Sequence, residues 1–328
     1  MGHYTHLTLE EREMIMVLYH EGNGINEIAR LIGRNKGTVS REIKRNHLFK
    51  HIYVAEKAQR MYETRRVQCR PHLKLENHEL FSIVRSKFLE NRWSPEQISS
   101  RIAMEHPELA VSTTTIYRAI YRHLLEYDGY SYGKGQSKLL RHKGKRRHKS
   151  NETEHRGKIR ISNPLSERPE EANSRMRMGD WEADTVIGKE GHSCAVTLVD
   201  RKSRFLLLEK VPSRNAMNVC SALSSMLCGR PLFSVTPDRG KEFASHEEVT
   251  RRLGVQFYFP LPHQPWQRGT NENTNGLLRE YLPKRTDMDG FTDSEIQWIQ
   301  NELNLRPRKC LGFRTPHEVF FSESLHLI

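Results

Sequence analysis

From residue 178 onward the apolar residues arrive in short runs, too short for helices, before longer runs of helical period set in. Positions 181–188, 192–199 and 204–211 read as three consecutive strands. Turn signals separate them at Lys189-Glu190-Gly191 and at Asp200-Arg201-Lys202-Ser203. Residues 215–227 then read as a helix, 232–236 as a buried strand, 247–253 as a helix and 255–259 as a strand. Three adjoining strands followed by alternating helix and strand can bury their apolar faces in few ways. The pattern predicts a mixed, five-stranded α/β sheet covered by helices.

Three carboxylates stand at informative points of that frame. Asp184 lies in Trp-Glu-Ala-Asp-Thr-Val, Asp238 in Thr-Pro-Asp-Arg-Gly and Glu272 in Gly-Thr-Asn-Glu-Asn-Thr-Asn, with thirty-three residues between the last two. Asp184 is expected within the first strand and Asp238 just past the fourth. Glu272 is expected to open a helix, where the dipole favours an anion. Asn275 and Arg279 share its face, and Leu277, Leu278, Tyr281 and Leu282 supply core contacts. Three clustered carboxylates repel one another at pH 7 unless cations join them. Hard oxygen donors of this kind suit Mg²⁺ or Mn²⁺. Two such ions about 4 Å apart would activate an attacking oxygen and stabilise a leaving one in phosphodiester chemistry. Acids at strand ends are equally often solvated or paired, and Asp180, Glu182, Asp200, Glu242 and Glu280 are rivals. Asp180, Glu182 and Asp184 alternate onto one strand face, so periodicity leaves the choice among them open.

The first half of the chain has a different character. The net charge is +13, and residues 1–150 hold 28 Lys and Arg against 16 Asp and Glu, a net of +12. A charge excess confined in this way favours a polyanion partner, most simply nucleic acid. Thr8 can cap a helix that runs to His20, and Gly22-Asn23-Gly24 ends it. A short helix follows with Ile25, Ile28, Ala29 and Ile32 on one face, stopped by Gly33. Asn35 can cap a third helix with Val39 and Ile43 inward. Lys36, Ser40, Arg41, Lys44 and Arg45 then point outward. This is a helix-turn-helix pattern, with Lys36, Ser40 and Arg41 facing base edges and Lys44 and Arg45 facing phosphates.

A weaker copy spans 80–126. Phe81, Val84 and Phe88 mark one helix. Ser94-Pro95-Glu96-Gln97 is a capping signal, with Ile98 and Ile102 inward. Ser112 can cap a last helix with Ile116 and Ile120 inside and Thr113, Thr114, Tyr117, Arg118 and Arg122 outside. A basic helical stretch over 51–79 is expected to connect the two modules. The segment 127–172, which includes Lys145, Arg146 and Arg147, reads as a basic linker with too little apolar content to fold alone.

No apolar run approaches the length of a bilayer span, and the opening Met-Gly-His-Tyr-Thr-His carries no apolar signal segment. The five scattered cysteines suit neither zinc nor disulfides. A soluble cytoplasmic protein is expected. No phosphate-binding Gly-Lys-Ser/Thr loop is present, which argues against a nucleotide cofactor.

The order of elements fits the ribonuclease H-like fold, and the motifs go further. The segments 179–188, 236–243 and 265–279 (the last Pro-Trp-Gln-Arg-Gly-Thr-Asn-Glu-Asn-Thr-Asn-Gly-Leu-Leu-Arg) resemble the insertion-sequence-thirty family of transposases. That family is part of the acidic-triad transposase and retroviral integrase group. Leu-Asn-Leu-Arg-Pro-Arg-Lys at 303–309, Arg-Thr-Pro-His-Glu-Val at 314–319 and the helix-turn-helix at 33–46 extend the likeness to essentially the whole chain. The resemblance places the first acid in Trp-x-x-Asp, selecting Asp184, with Asp238 and Glu272 completing a metal-binding catalytic triad. One departure from the wider group is Arg239, where many relatives carry Asn.

The resemblance implies a bacterial, nucleoid-associated enzyme that binds the terminal inverted repeats of a mobile element and cleaves their 3′ ends. It then joins them to target DNA through a circular intermediate, acting as a dimer or higher oligomer. Arg268 and Arg279 are expected to hold phosphates near Glu272, and Trp266 to pack or to stack on a base. Arg306, Arg308 and Lys309 are expected to bind DNA backbone or to cap the C-terminal helix. A DNA-binding repressor and a junction-type nuclease on the same fold are the rival readings.

Overall fold

The computed structural model describes residues 5–48, 52–69, 73–126, 139–140, 160–189, 193–261 and 269–328. Two compact units divide the chain, residues 1–77 and 78–328.

In the first unit the helices are α1 (Leu9–His20), α2 (Ile25–Leu31) and α3 (Lys36–Asn46). The two-residue strands β1 (His47–Leu48) and β2 (Ile52–Tyr53) pair antiparallel before α4 (Ala55–Gln68). Thr8 and Glu11 close the capping box that starts α1. Gly22 leaves the helix at φ +87°, a conformation costly for any residue with a Cβ. Ile15, Ile28, Val39, Ile43, Tyr53 and Ala58 form one apolar core. Ala58 brings α4 into that core. The basic stretch expected to connect two modules therefore packs as the fourth helix of the first. Arg12, only 2% exposed, donates to Glu42 of α3 at 2.8 Å and to the Leu7 carbonyl at 2.6 Å. This buried pair fixes α3 against α1.

The second unit begins with α5 (His78–Leu89), α6 (Pro95–Glu105) and α7 (Thr113–Tyr121). Ser94 and Gln97 cap α6 reciprocally with Pro95 at its first position, and Ser112 caps α7, as the sequence predicts. Leu80, rather than Phe81, joins Val84 and Phe88 inside.

The strands β3 (Asn163–Pro164), β4 (Asp180–Ile187), β5 (Cys194–Asp200), β6 (Leu206–Val211), β7 (Ser234–Thr236) and β8 (Gln256–Phe259) form one mixed sheet in the order β3-β8-β7-β4-β5-β6. β4, β5 and β6 are antiparallel; β7, β8 and β3 continue in parallel from β4. The five expected strands are present. The sixth, β3, comes from a segment read as linker. It adds only two residues through backbone pairing at an edge, where Pro164 is tolerated.

Short α8 (Glu170–Asn173) precedes β4. Helices α9 (Ala216–Leu227) and α10 (His246–Leu253) cover one sheet face, where Trp181, Ala183, Val196 and Leu198 point. Helices α11 (Gly269–Leu278) and α12 (Asp293–Asn304) cover the other, over Val186, Ala195, Leu206 and Leu208. Terminal α13 (Pro316–Phe321) sends Phe320 into the first of these cores.

The second helix-turn-helix segment is tied to this sheet assembly by buried polar groups. Arg101 of α6 donates to both carboxylate oxygens of Glu318 on α13, at 2.7 and 2.8 Å, and to the Leu325 carbonyl at 2.6 Å. It also pairs with Glu105. The Glu105 carboxylate in turn accepts the backbone N–H groups of Leu327 and Ile328. Gln97 donates to the Pro307 carbonyl at 2.6 Å. The linker residues 127–138 and 141–159 lie outside the described residues. Among the described residues no helix is long and apolar enough to cross a membrane.

Candidate active site and nucleic-acid interface

The alternation along β4 turns Asp180, Glu182 and Asp184 toward α11, away from the Trp181 and Ala183 face. Their environments differ. Asp180 is fully buried and accepts from Arg177 at 2.8 Å and from the Ser234 hydroxyl at 2.6 Å. Glu182 is fully buried, pairs with Arg201 and accepts the Asn271 N–H at 3.2 Å. Asp184 is half-buried. Its Oδ1 accepts the Thr185 N–H and its Oδ2 accepts from Asn275 Nδ2, both at 2.8 Å. Buried carboxylates already matched to a guanidinium hold the fold together. Asp184 keeps an accessible side.

Asp238 stands two residues past β7. The parallel register ends at Glu182 and Thr236, so β4 runs on to Asp184 where the neighbouring chain leaves β7 toward Asp238. The Gly240 N–H donates to Asp238 Oδ1 at 2.7 Å and fixes that carboxylate in its turn. Gly240 packs directly against the Glu242 carboxylate, so a side chain there would displace it. Glu242, 7% exposed, accepts the Thr185 hydroxyl at 2.9 Å and faces Arg214 at 3.8 Å. The Arg239 guanidinium donates to the Pro260 carbonyl at 2.6 Å, tying this loop to the end of β8.

Glu272 lies on α11, but the convergence expected of all three acids is not closed. Among the described residues no three His, Cys, Asp or Glu side chains stand close enough to hold one ion. The reason is helical geometry. Asn271 and Asn275, four residues apart, take the positions of α11 that face β4, where Asn271 Nδ2 also donates to the Ala183 carbonyl at 3.2 Å. Glu272 is turned about 60° from Asn275 and is exposed. Asn271 was not singled out from sequence, although its spacing from Asn275 is the signal that would have found it.

The site fits a hard divalent cation on the chemistry of its donors. Asp184 on β4 and Asp238 in the turn after the neighbouring β7 each offer carboxylate oxygens. Asn271 Oδ1 and Asn275 Oδ1 are buried acceptors without a hydrogen-bond donor among the described residues. Arg279, just past the end of the same helix, is half-buried. Burial pulls its guanidinium below its ordinary range, and the Asp184 charge partly restores it.

On the first unit, Lys36, Arg41, Lys44 and Arg45 are exposed along α3 and Ser40 is half-buried between them. On α7, Thr114 and Arg118 are exposed, while Thr113 and Tyr117 are half-buried. Tyr117 lines a cleft that α11 also borders. Arg306 and Arg308 are buried: Arg306 pairs with Glu280 at 2.9 Å, and Arg308 donates to the Leu303 carbonyl at the end of α12. Arg308 therefore secures the α12 terminus, and Arg306 ties the chain just past it to Glu280. Exposed Lys309 pairs with Glu96 at 2.6 Å. Lys145, Arg146, Arg147, Trp266 and Arg268 lie outside the described residues.

Both halves of the chain resemble known proteins. A helix-turn-helix domain model matches residues 3–46, and an integrase core domain model matches residues 174–265. The transposase InsI for insertion sequence element IS30A of Escherichia coli (strain K12) is 39% identical over 328 residues, covering 96% of this chain and 83% of its own. The transposase for IS1086 of Cupriavidus metallidurans is 38% identical over 327 residues, covering 96% of this chain and 94% of its own. The transposase for IS4351 of Bacteroides fragilis is 38% identical over 322 residues, with 96% and 95% covered. Likeness of this strength over nearly the whole length, with both domain models seated on matching parts of the chain, means that the chain belongs to the IS30 family of DDE-type insertion-sequence transposases.

Proposed function

We propose that this transposase binds the terminal inverted repeats of its element and there carries out divalent-cation-dependent 3′-end cleavage and strand transfer through Asp184, Asp238 and Glu272. The observation that carries the reading is the placement of Asp184 and Asp238. Asp184 is half-buried on the α11-facing side of β4 with its Oδ2 held by Asn275, and Asp238 stands in the turn just past the neighbouring strand β7. Two bound Mg²⁺ or Mn²⁺ ions held by Asp184, Asp238 and Glu272 would supply the charge that activates the attacking oxygen and stabilises the departing one.

The chain's own residues orient and bind. Asn275 holds Asp184 Oδ2, and the Gly240 N–H holds Asp238 Oδ1. Arg279, charged and close to Asp184, and Arg268 take phosphates near Glu272. Water attacks the phosphorus at the element end. The bond to the 3′ oxygen breaks, which frees a 3′-hydroxyl and leaves a 5′-phosphate on the flank. The 3′-hydroxyl then attacks a second DNA phosphate in line and displaces its 3′ oxygen, so no covalent protein intermediate and no nucleotide cofactor are needed. Joining one element end to the other yields a circle with abutted ends. Lys36, Ser40 and Arg41 of α3 read base edges, and Lys44 and Arg45 lie along the phosphates. Thr113, Thr114, Tyr117 and Arg118 of α7, with Lys145, Arg146 and Arg147 of the linker, contact further DNA. Two ends in one complex require at least a homodimer, working on the nucleoid in the bacterial cytoplasm.

The test is strand transfer by purified protein on DNA carrying the element ends, with Mg²⁺ or Mn²⁺. Wild type is expected to cleave and join. Asp184→Asn and Asp238→Ala are expected to bind the ends and lose joined product by at least about a thousandfold, the scale on which catalytic groups count. Specific binding without cleavage by wild type would sink the proposal in favour of a repressor. Cleavage indifferent to the repeat sequence would favour a junction-type nuclease.

A further inference from the structure

On the side of α11 away from Glu272, a cleft of about 950 Å³ runs between α7 and the sheet unit. Its two walls differ in chemistry. On one, Tyr117 and Tyr121 stack with ring centroids 6.2 Å apart and planes 17° from parallel, and Tyr121 is 63% exposed. On the other, two arginines share one hydroxyl. Arg204 Nη1 donates to Thr270 Oγ1 at 2.6 Å, and Arg175 Nη2 reaches the same oxygen at 3.5 Å.

Neither guanidinium is paired with a carboxylate among the described residues. Both arginines hold left-handed backbones, at φ +58° for Arg175 and +64° for Arg204, which cost a side-chain-bearing residue free energy. Burial draws Arg175 below its ordinary range, and the neighbouring charges of Arg204 and Arg201 draw it further. Nearby Arg168 is pushed down to about 10, first by burial and then by the Arg201 charge. Arg175 and Arg204 meet at strained positions on one shared hydroxyl, with the Glu182 charge only partly offsetting Arg175, an arrangement that an added anion would relieve.

We infer that this cleft binds a short run of single-stranded DNA, its phosphates on Arg175 and Arg204 and its bases stacked on Tyr117 and Tyr121. Paired stacking rings opposite a basic wall are how proteins hold unpaired strands without reading sequence. A volume within the range of small-molecule pockets admits a few nucleotides. A duplex, with a second strand and paired bases at every step, does not fit that volume. Because α11 separates the cleft from Glu272, the strand held there is a flanking one and not the phosphodiester that reacts. The inference rests on the transposase reading only for the identity of the polymer, and its site is separate from the acids.

Binding of a fluorescein-labelled oligothymidylate of about ten nucleotides to the full chain, by polarisation, tests this. The measurement is made in EDTA, with excess random-sequence duplex to occupy α3. Wild type is expected to retain affinity for the oligothymidylate under that competition. Arg175→Gln/Arg204→Gln is expected to bind at least about tenfold more weakly and to lose about 1.4 from the slope of log K against log salt, two single-strand phosphates' worth. Tyr121→Ala is expected to lose about tenfold and Tyr121→Phe to stay within about twofold, as stacking requires. Tyr121 is exposed, so its variants keep the fold even where the double arginine variant does not. Complete displacement of the oligothymidylate by duplex, or equal affinity of Tyr121→Ala and wild type, overturns the inference. Because no metal or cleavage is involved, this outcome is independent of whether the acids catalyse strand joining.

Discussion

Arg101 is the residue whose loss should weaken the second unit most. It is 2% exposed, makes two hydrogen bonds to Glu318, pairs with Glu105, and donates to the carbonyls of Leu325 and Phe313. Burial alone would raise the Glu318 carboxyl. The Arg101 hydrogen bonds, the N–H groups of Thr315 and Leu325 and the Arg101 charge outweigh it and hold Glu318 at about 2, against an ordinary 4.5. That depression corresponds to about 3 kcal/mol of stability. Arg101→Met leaves two buried carboxylates without their cation, a change that typically costs about 3–5 kcal/mol. For a unit of this size such a loss lowers Tm by roughly 10 °C.

The assay is tryptophan fluorescence during thermal or urea unfolding of the full chain. Trp93, Trp181, Trp266 and Trp298 all lie beyond residue 77, so the signal reports the second unit alone. Adding Glu318→Met to Arg101→Met should recover part of the loss, because one of the two stranded charges is then gone. The sign with pH follows from the lowered carboxyl. The stabilisation is complete above about pH 4.5 and is lost as pH falls toward 2. A drop of under about 1 kcal/mol for Arg101→Met at pH 7, or stability that rises on acidification from 5 to 3, would refute the reasoning.

Removing the amide that holds Asp184, by Asn275→Ala, is expected to lower strand joining about 10–100-fold with end binding unchanged, the range seen when groups supporting a metal ligand are lost. Equal joining rates in single-turnover assays would contradict it. Lys44→Ala and Arg45→Ala should each flatten the salt dependence of duplex binding by about 0.9 in log–log slope, measured by titration across salt concentrations. A thiol titration of the native protein at pH 8 should find the exposed Cys69, Cys228 and Cys310 and miss Cys194 and Cys220 until urea is added. Burial pushes the Cys194 thiol up to about 11, so almost no thiolate is available, and fast labelling of all five thiols would be inconsistent with the fold.

The parts of this protein that were legible in its sequence are those governed by local physics. Caps at Thr8, Ser94 and Ser112, the turn at Gly22 and the alternation along β4 depend on residues within a few positions of one another. The five main strands and the helices between them followed from the same short-range rules. Three packing outcomes were not legible. Helix α4 joins the first core instead of connecting modules. The α6 segment is sewn to α13 by Arg101 and Glu318, more than two hundred residues apart in sequence. The short strand β3 exists only because β8 has a free edge beside it.

The acids divide along the same line. By itself the sequence determined which carboxylates share a face of β4, because strand periodicity fixes direction. It could not choose among Asp180, Glu182 and Asp184 without a family resemblance. The tertiary structure decided what surrounds each: the Ser234 hydroxyl reaches Asp180 and the Arg201 guanidinium reaches Glu182 from distant positions, while Asp184 meets an amide from α11. It also decided that Asn271 and Asn275, not Glu272, occupy the face of α11 against the sheet. Whether a charge is paired, accessible or turned aside depends on partners brought together by folding, and spacing along the chain carries no record of them.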